Sequence, residues 1–322
     1  MTRALVTGGN GFVAQWAVRA MLERGWVVTA AGIPAADAAQ SATVLSAEER
    51  RSVQWCSMDV TRQQEIATVI DAARPDVILH LAAVSHVPDA TRNPGYAYEV
   101  NAVGTVRLLA EVRRTRTQGT ADPVVLVVGS AEQYGRHELN EMPLHEDAEQ
   151  RPLTLYAASK VAQEVAALQA FRSDGVRVVC TRSFNHSGVG HAGHFLLPAM
   201  VDRALALPPA GGRLLIGNGD TVRDFLHVRD VVDAYLGLLE RGSHGDTYNV
   251  CSGTGVSVRM LAAAVLRRLG VTADIVTDPA LARPVDVPVQ VGSNSKLRRA
   301  TGWAPRLTRD DIIDDLIHAA SH

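Results

Sequence analysis

No apolar run in this chain of 322 residues approaches the roughly 18 residues needed to cross a bilayer, because charges or turn residues interrupt each one. The amino terminus, Met1-Thr2-Arg3 followed by the short run Ala4 to Val6, reads as a strand and not as a signal peptide. A cytoplasmic location without membrane attachment is therefore expected. Basic excess is missing too: 32 Lys and Arg stand against 34 Asp and Glu, a formal charge of -2. That argues against a nucleic-acid polymer as partner, which needs a broad positive surface. Cysteine is scarce, with Cys56, Cys180 and Cys251 scattered and without CxxC spacing. They suit a reducing compartment and exclude a disulfide framework. There is no internal repeat and no low-complexity linker; the Ala-rich stretch Ala35 to Ala42 reads as a surface loop or frayed helix. A hydrophobic fraction of 47% with 20% charged residues is that of a globular chain.

What is present is a rhythm of apolar, β-branched runs: Ala4 to Thr7, Trp26 to Ala31, Val53 to Cys56, Val77 to Ala82, Val124 to Gly129 and Val176 to Thr181. Segments of helical periodicity separate them, so the pattern is βαβ. The runs are continuously apolar, as strands covered on both faces are. An α/β fold with a doubly wound parallel sheet, Rossmann in type, follows. After Thr181 the chain turns to loops rich in Gly, Pro and His, such as Asn185 to His194 and Pro208 to Gly212. A periodic helix near Val228 to Leu239 and a short strand Thr247 to Val250 suggest a return to the main sheet. We expect residues 1-181 plus about 222-251 to form the NAD(P)-binding domain. About 182-221 plus 252-322 would make a smaller interleaved domain that binds substrate.

The first strand runs into Gly8-Gly9-Asn10-Gly11-Phe12-Val13-Ala14, followed by a helix with Phe12, Val13, Trp16, Ala17, Ala20 and Met21 on one face. Small residues let the backbone turn tightly against a pyrophosphate, and the helix amino terminus supplies free amides. A dinucleotide normally also meets an acid at the end of the second strand, on the ribose 2′-hydroxyl. Here that strand ends Ala30-Ala31-Gly32-Ile33, with no acid before Asp37. The missing carboxylate favours NADP, with NAD as the alternative, since no arginine takes its place. Asp59, in Met58-Asp59-Val60, reads either as a residue of the adenine pocket or as a cap on the helix beginning near Thr61.

Tyr156 and Lys160 stand four residues apart, which puts phenol and ammonium on one helical face. A fixed cation there would stabilise phenolate and ease proton exchange with a substrate oxygen. Ser130 ends the fifth strand at the carboxyl edge of the sheet, where open α/β folds bind ligands. His86, His186, His191 and His194 lie on loops without paired-ligand spacing, so no metal is expected.

Set in order, TGGNGFVA from Thr7, HLAA from His80, EVNAVGT from Glu99, GSAEQYG from Gly129 and YAASK from Tyr156 make the chain resemble an extended short-chain dehydrogenase/reductase acting on nucleotide sugars. The resemblance covers nearly its full length. It implies that Tyr156 exchanges the proton, that Lys160 lowers its pKa and holds the nicotinamide ribose, and that Ser130 binds the sugar oxygen. Asn101 would help position the active-site helix. Gly8, Gly11, Phe12, Val13, Asp59, Val60, Leu81, Ala82, Ala83, Asn101 and Lys160 would contact the cofactor. Ser85, Glu132, Asn185, Arg223 and Arg283 would contact the nucleotide sugar, the two arginines as donors to its diphosphate unless they serve in surface salt bridges. The carboxyl half, with RSFNHSGVG, VRDFLHVRDVVDAY, YNVCSG and RPVDVPVQVGSNSKL, is similar to GDP-4-keto-6-deoxymannose reductases. It departs from them at His186 to His191, where a proline and a glutamine are lost.

The resemblance therefore implies an oxidoreductase that transfers the pro-S hydride of NADPH to the C4 ketone of a nucleotide-linked 4-keto-6-deoxyhexose, GDP-4-keto-6-deoxymannose giving GDP-rhamnose. The alternatives are a 4,6-dehydratase with Glu132 as base, a C4 epimerase, and, from another class, a non-catalytic NADP sensor. A homodimer through the helices that carry Asn101 and Tyr156 is expected by the same analogy.

Overall fold

The computed structural model describes residues 1–33, 44–208, 211–282 and 286–321. Ala35 to Ala42, Asp37 and Arg283 lie outside them. Seven parallel strands form the main sheet: β1 (Arg3–Thr7), β2 (Val27–Gly32), β3 (Gln54–Ser57), β4 (Val77–His80), β5 (Val124–Ser130), β6 (Val178–Ser183) and a later strand, Thr247–Val250. Between β6 and that strand run β7 (Asn185–Ser187), β8 (Gly212–Ile216) and β9 (Val222–His227), which makes Thr247–Val250 β10; β11 (Gly255–Ser257), β12 (Ala273–Thr277) and β13 (Val289–Gln290) follow. The sheet order is β3-β2-β1-β4-β5-β6-β10, so the winding reverses between β1 and β4. β9 pairs with β7, β11 and β13 in a smaller sheet, and β8 pairs with β12.

Eight helices of ten residues or more occur among the described residues: α1 (Phe12–Glu23), α2 (Gln63–Ala73), α3 (Gly104–Thr117), α4 (Leu155–Asp174), α5 (Leu196–Leu205), α6 (Val228–Arg241), α7 (Val258–Leu269) and α8 (Arg309–Ala320). The continuous apolar strands serve two faces at once, because successive side chains point to opposite sides of a sheet. Ala4, Val6 and Leu126 pack under α1 and α6. Leu5, Val125 and Val127 pack under α2, α3 and α4. A third core joins α5, α7 and α8 to Leu214, Phe225 and Val256.

Strand ends differ from the sequence reading where side chains or helix closures intercept the backbone. β4 stops at His80 instead of Ala82 because the Leu81 and Ala82 N–H groups donate to Thr7 Oγ1. β6 starts at Val178 instead of Val176 because the Val176 N–H closes the end of α4 on Ala170 O. On α1, Ala14, Trp16, Ala17, Val18 and Met21 are buried in the core, with Phe12, Val13 and Ala20 packed against it, and Phe12 and Val13 also line a cavity. The first helical turn stands at the carboxyl edge of the sheet, so Phe12 and Val13 reach both the core and the cavity.

Candidate active site

Along the carboxyl edge of β1, β4, β5 and β6 lies a cavity of about 860 Å3. Its position at the reversal of strand order follows from topology, since loops leaving β1 and β4 diverge to opposite faces there. The floor is the turn after β1. Gly8 has φ +68°, and a Cβ on it would fall 2.9 Å from Ala82 N, so only glycine lets this turn approach the end of β4. Gly11 caps α1 without a side-chain hydrogen bond. The first N–H groups of α1 thus have no capping side chain and open beside a cavity lined by Gly8, Gly11, Phe12, Val13 and Ala14, an anion-binding arrangement. These features fit the diphosphate of a dinucleotide cofactor.

Of the expected residues, Gly8, Gly11, Phe12, Val13, Leu81, Ala83, Ser85, Ser130, Glu132, Tyr156, Lys160 and Asn185 line this one cavity. Ala82 lies behind Gly8, its N–H on Thr7 Oγ1 at 3.1 Å. Asn101 is fully buried behind the wall, in a π turn, Glu99–Val103, and not in regular helix. The turn directs its amide to bond Val84 N, Val84 O and Ser159 Oγ at 2.8, 3.1 and 2.9 Å. Ser159 sits between Tyr156 and Lys160, so Asn101 ties the loop after β4 to α4.

Asp59 and Val60 stand away from the cavity wall. Asp59 Oδ1 accepts from Thr61 N and Thr61 Oγ1, while α2 starts only at Gln63, with Arg62 as N-cap. Asp59 therefore closes a local turn and is not the helix cap of the sequence reading. Val60 packs against Gly104, where a Cβ would come within 2.9 Å of Val60 Cγ2. Arg223 departs further from expectation. Its guanidinium bonds Asp286 Oδ1 at 2.5 Å and Val222 O at 2.8 Å, in a small cleft that adjoins the main cavity at Glu132 and Gln290. A carboxylate in reach holds the guanidinium there, away from the main cavity wall.

Ser130 ends β5 and caps a 3-10 turn, Ala131–Tyr134. Its N–H donates to Gln133 Oε1 at 2.8 Å, and its hydroxyl accepts from Glu132 N at 3.2 Å. Burial pushes the Tyr156 phenol up to about 12, with a further rise from the Glu132 charge and an opposing pull from the Ser130 hydroxyl. Burial also brings Lys160 down to about 7. Burial thus sets the net direction for Tyr156, upward. Two acceptors engage the Lys160 ammonium, Val128 O at 2.9 Å and Gln163 Oε1 at 2.8 Å.

Several lining residues went unselected in the sequence. Gln290 comes from the two-residue strand β13 and donates to Ala131 O, placing it beside Glu132. Its only local signal is the RPVDVPVQ segment that contains it. His191 stacks on Phe12 and on Phe195 at 4.5 and 4.2 Å, while His194 lies tilted against Phe195 and His86 against His194. His86, His186, His191 and His194 thus line the cavity and meet aromatic or imidazole rings there. Burial, with the neighbouring His186 and His194, holds His191 down to about 3.

A protein family described as GDP-mannose 4,6 dehydratase matches residues 5–316. GDP-6-deoxy-D-mannose reductase of Pseudomonas aeruginosa is 37% identical over 237 residues, 73% of this chain and 76% of that protein. GDP-6-deoxy-D-talose 4-dehydrogenase of Aggregatibacter actinomycetemcomitans is 31% identical over 308 residues, 95% of this chain and 93% of that protein. The solved structure of RMD from Pseudomonas aeruginosa complexed with NADPH superposes with a TM-score of 0.81 at 28% identity, covering 100% of both chains.

Proposed function

The chain belongs to the GDP-mannose 4,6-dehydratase family of extended short-chain oxidoreductases, and from that premise we propose that it is an NADPH-dependent ketoreductase. Its substrate is a nucleotide-linked 4-keto-6-deoxyhexose, GDP-4-keto-6-deoxymannose first among them, and the product is GDP-rhamnose. The observation that carries this reading is the convergence of Ser130, Tyr156 and Lys160 on the cavity floored by the glycine turn after β1, with the phenol kept protonated by its burial. A protonated phenol is the form that gives a proton to an oxygen gaining negative charge.

The nicotinamide cofactor supplies the hydride for the C4 carbon. The residues of the chain then divide the remaining work. Gly8, Gly11 and the first amides of α1 bind the cofactor diphosphate, and Lys160 presents an N–H to the ribose beside Tyr156. Ser130 Oγ donates to the C4 oxygen and fixes it against the phenol. Tyr156 releases its proton to that oxygen as the C–H bond forms, and the Lys160 ammonium stabilises the resulting phenolate. Asn185, Ser85 and Gln290 orient the sugar and its diphosphate, with Arg223, and by the resemblance Arg283, as diphosphate donors. For Arg223 this requires the Asp286 pair to exchange for the ligand. Asp59 and Val60 are assigned to the adenosine end by the resemblance alone, since neither lines the cavity. The β2 end Gly32-Ile33 carries no acid, which favours NADP, with NAD as the alternative.

The reading is tested by mixing the protein with GDP-4-keto-6-deoxymannose and NADPH and following nicotinamide absorbance and product NMR. Stoichiometric oxidation with a GDP-rhamnose product is expected; redox-neutral loss of water from GDP-mannose would overturn it. That second outcome has its own support in Glu132, a carboxylate in the cavity close enough to act on the Tyr156 phenol, which would serve a dehydratase as base.

The same reading includes a homodimer, for Val103 and Val106 of the π turn and α3, with Leu155 and Val165 of α4, expose apolar surface. Light scattering at twice the chain mass is the expected result, and a monomer would refute it. The division of residues 1-181 plus about 222-251 from the remainder is part of the proposal, and limited proteolysis yielding fragments that cut across it would oppose it. No described helix is long and apolar enough to cross a membrane. Placement in the cytoplasm goes with the reduced cysteines and is checked by cell fractionation.

A further inference from the structure

Behind the cavity wall a file of buried polar side chains joins the nucleotide-binding turn to Lys160. Thr7 Oγ1 accepts from Leu81 N–H and Ala82 N–H at 3.2 and 3.1 Å, so its own proton goes to His80 Nδ1 at 2.7 Å. The ring proton of His80 must then sit on Nε2, which donates to Thr105 Oγ1 at 2.9 Å. Thr105 donates to Asn101 O at 2.7 Å and accepts from Gln163 Nε2 at 3.0 Å. This turns Gln163 Oε1 toward Lys160 Nζ at 2.8 Å. Each member has one donor and acceptor assignment that satisfies all the others. Reversing the Gln163 amide would set its NH2 against the ammonium and its oxygen against a hydroxyl whose proton is already committed. Thr7, His80, Thr105 and Gln163 are all within 1% of full burial, so no bulk water replaces a lost partner.

We propose that Gln163 is a positioning residue for Lys160, holding the ammonium charged against Val128 O and turning its remaining N–H into the cavity. His80 and Thr105 fix the direction of the amide that does so. The catalytic consequence rests on the ketoreductase reading, whereas the hydrogen-bond role does not. His80 stays neutral, since burial and the Lys160 charge hold it down to about 3. The titratable groups around the ammonium are His80 on β4 and Tyr156 one turn earlier on α4. Glu132 acts on Tyr156, and Tyr156 in turn acts on Tyr235.

The chain has two lysines, Lys160 and Lys296, so lysine-labelled protein gives two side-chain NMR signals, with Lys296 on Asp246 as internal control. Removing an acceptor from a buried ammonium disfavours its charged form. Gln163→Leu is expected to lower the Lys160 titration midpoint by about one pH unit, and Gln163→Glu to raise it. Thr105→Val, which frees the amide to turn, lowers it less. A folded Gln163→Leu protein with an unmoved midpoint would overturn the proposal. Should that variant fail to fold, an unmoved midpoint in Gln163→Glu overturns it equally. A packing role alone would shift the melting temperature and leave the midpoint in place. With ketosugar and NADPH, Gln163→Leu is expected to move the basic limb of the kcat profile down by the same interval. If the ketosugar is no substrate, the titration still decides the role of Gln163. If turnover is present and the midpoint does not move, only this proposal falls.

Discussion

The acid–base work proposed for this site depends on two side chains whose burial acts in opposite directions on their charges. Tyr156 is pushed up to about 12 and Lys160 down to about 7, because removal from water disfavours whichever form is charged. At neutral pH the phenol therefore keeps its proton, as the proposed donation to an oxygen beside Ser130 requires. Tyr156→Phe is expected to lower kcat roughly 10²–10⁴-fold while leaving NADPH binding intact; near-normal turnover in a stopped assay with bound-cofactor titration would refute that role. This pair was legible because a helix brings positions four apart together whatever surrounds it. Gln163 was not, since its partners Thr105 and His80 come from distant segments. Arg223 shows the limit from the other side: its motif points to a diphosphate, and the nearby Asp286 holds it in the adjoining cleft.

At the scale of elements, β6, α4 and the turn after β5 are locked by one buried ion pair. Arg182 bonds Glu164 at 2.7 and 3.0 Å, with both side chains about 5% exposed. Glu164 also accepts from Gln133 at 2.8 Å, and Gln133 in turn accepts the Ser130 N–H. The helix that carries Tyr156 is thereby tied to the strand end that carries Ser130. Glu164→Ala leaves a buried guanidinium unpaired and is expected to cost about 3–5 kcal/mol in denaturant unfolding. Glu164→Leu combined with Arg182→Met should recover much of that, and a single-variant loss below about 1 kcal/mol would contradict the account. Strand existence was readable from the continuous apolar runs. Their ends were not, because Thr7 Oγ1 and the closure of α4 intercept the ladder from outside each strand.

For the whole molecule, burial of neutral imidazoles sets the response to acid. His80 and His191 are held down to about 3 in the folded protein, against about 6.5 in an unfolded chain. Between those values the unfolded state binds protons that the folded state does not. Stability is therefore lost as pH falls from about 6.5 toward 3, by about 1.4 kcal/mol per pH unit for each histidine. His191→Phe keeps a ring on Phe12 and Phe195 and removes the proton. Its melting temperature should decline less steeply with acid than that of the unaltered protein, and an identical slope would exclude His191 as a contributor.

The sequence by itself determined the α/β class, the tight glycine turn after the first strand and the pairing of Tyr156 with Lys160. Each depends on periodicity or spacing along one or two neighbouring elements, where backbone geometry alone fixes the neighbours. Tertiary structure decided what those groups face. It set Gln290 of β13 beside Glu132, stacked His191 on Phe12 and on Phe195, held Arg223 on Asp286, and placed Gln163 between Thr105 and Lys160. Those contacts join residues far apart in the chain, and the water-excluding burial that gives them their charge states exists only once the sheet and its helices have closed around them.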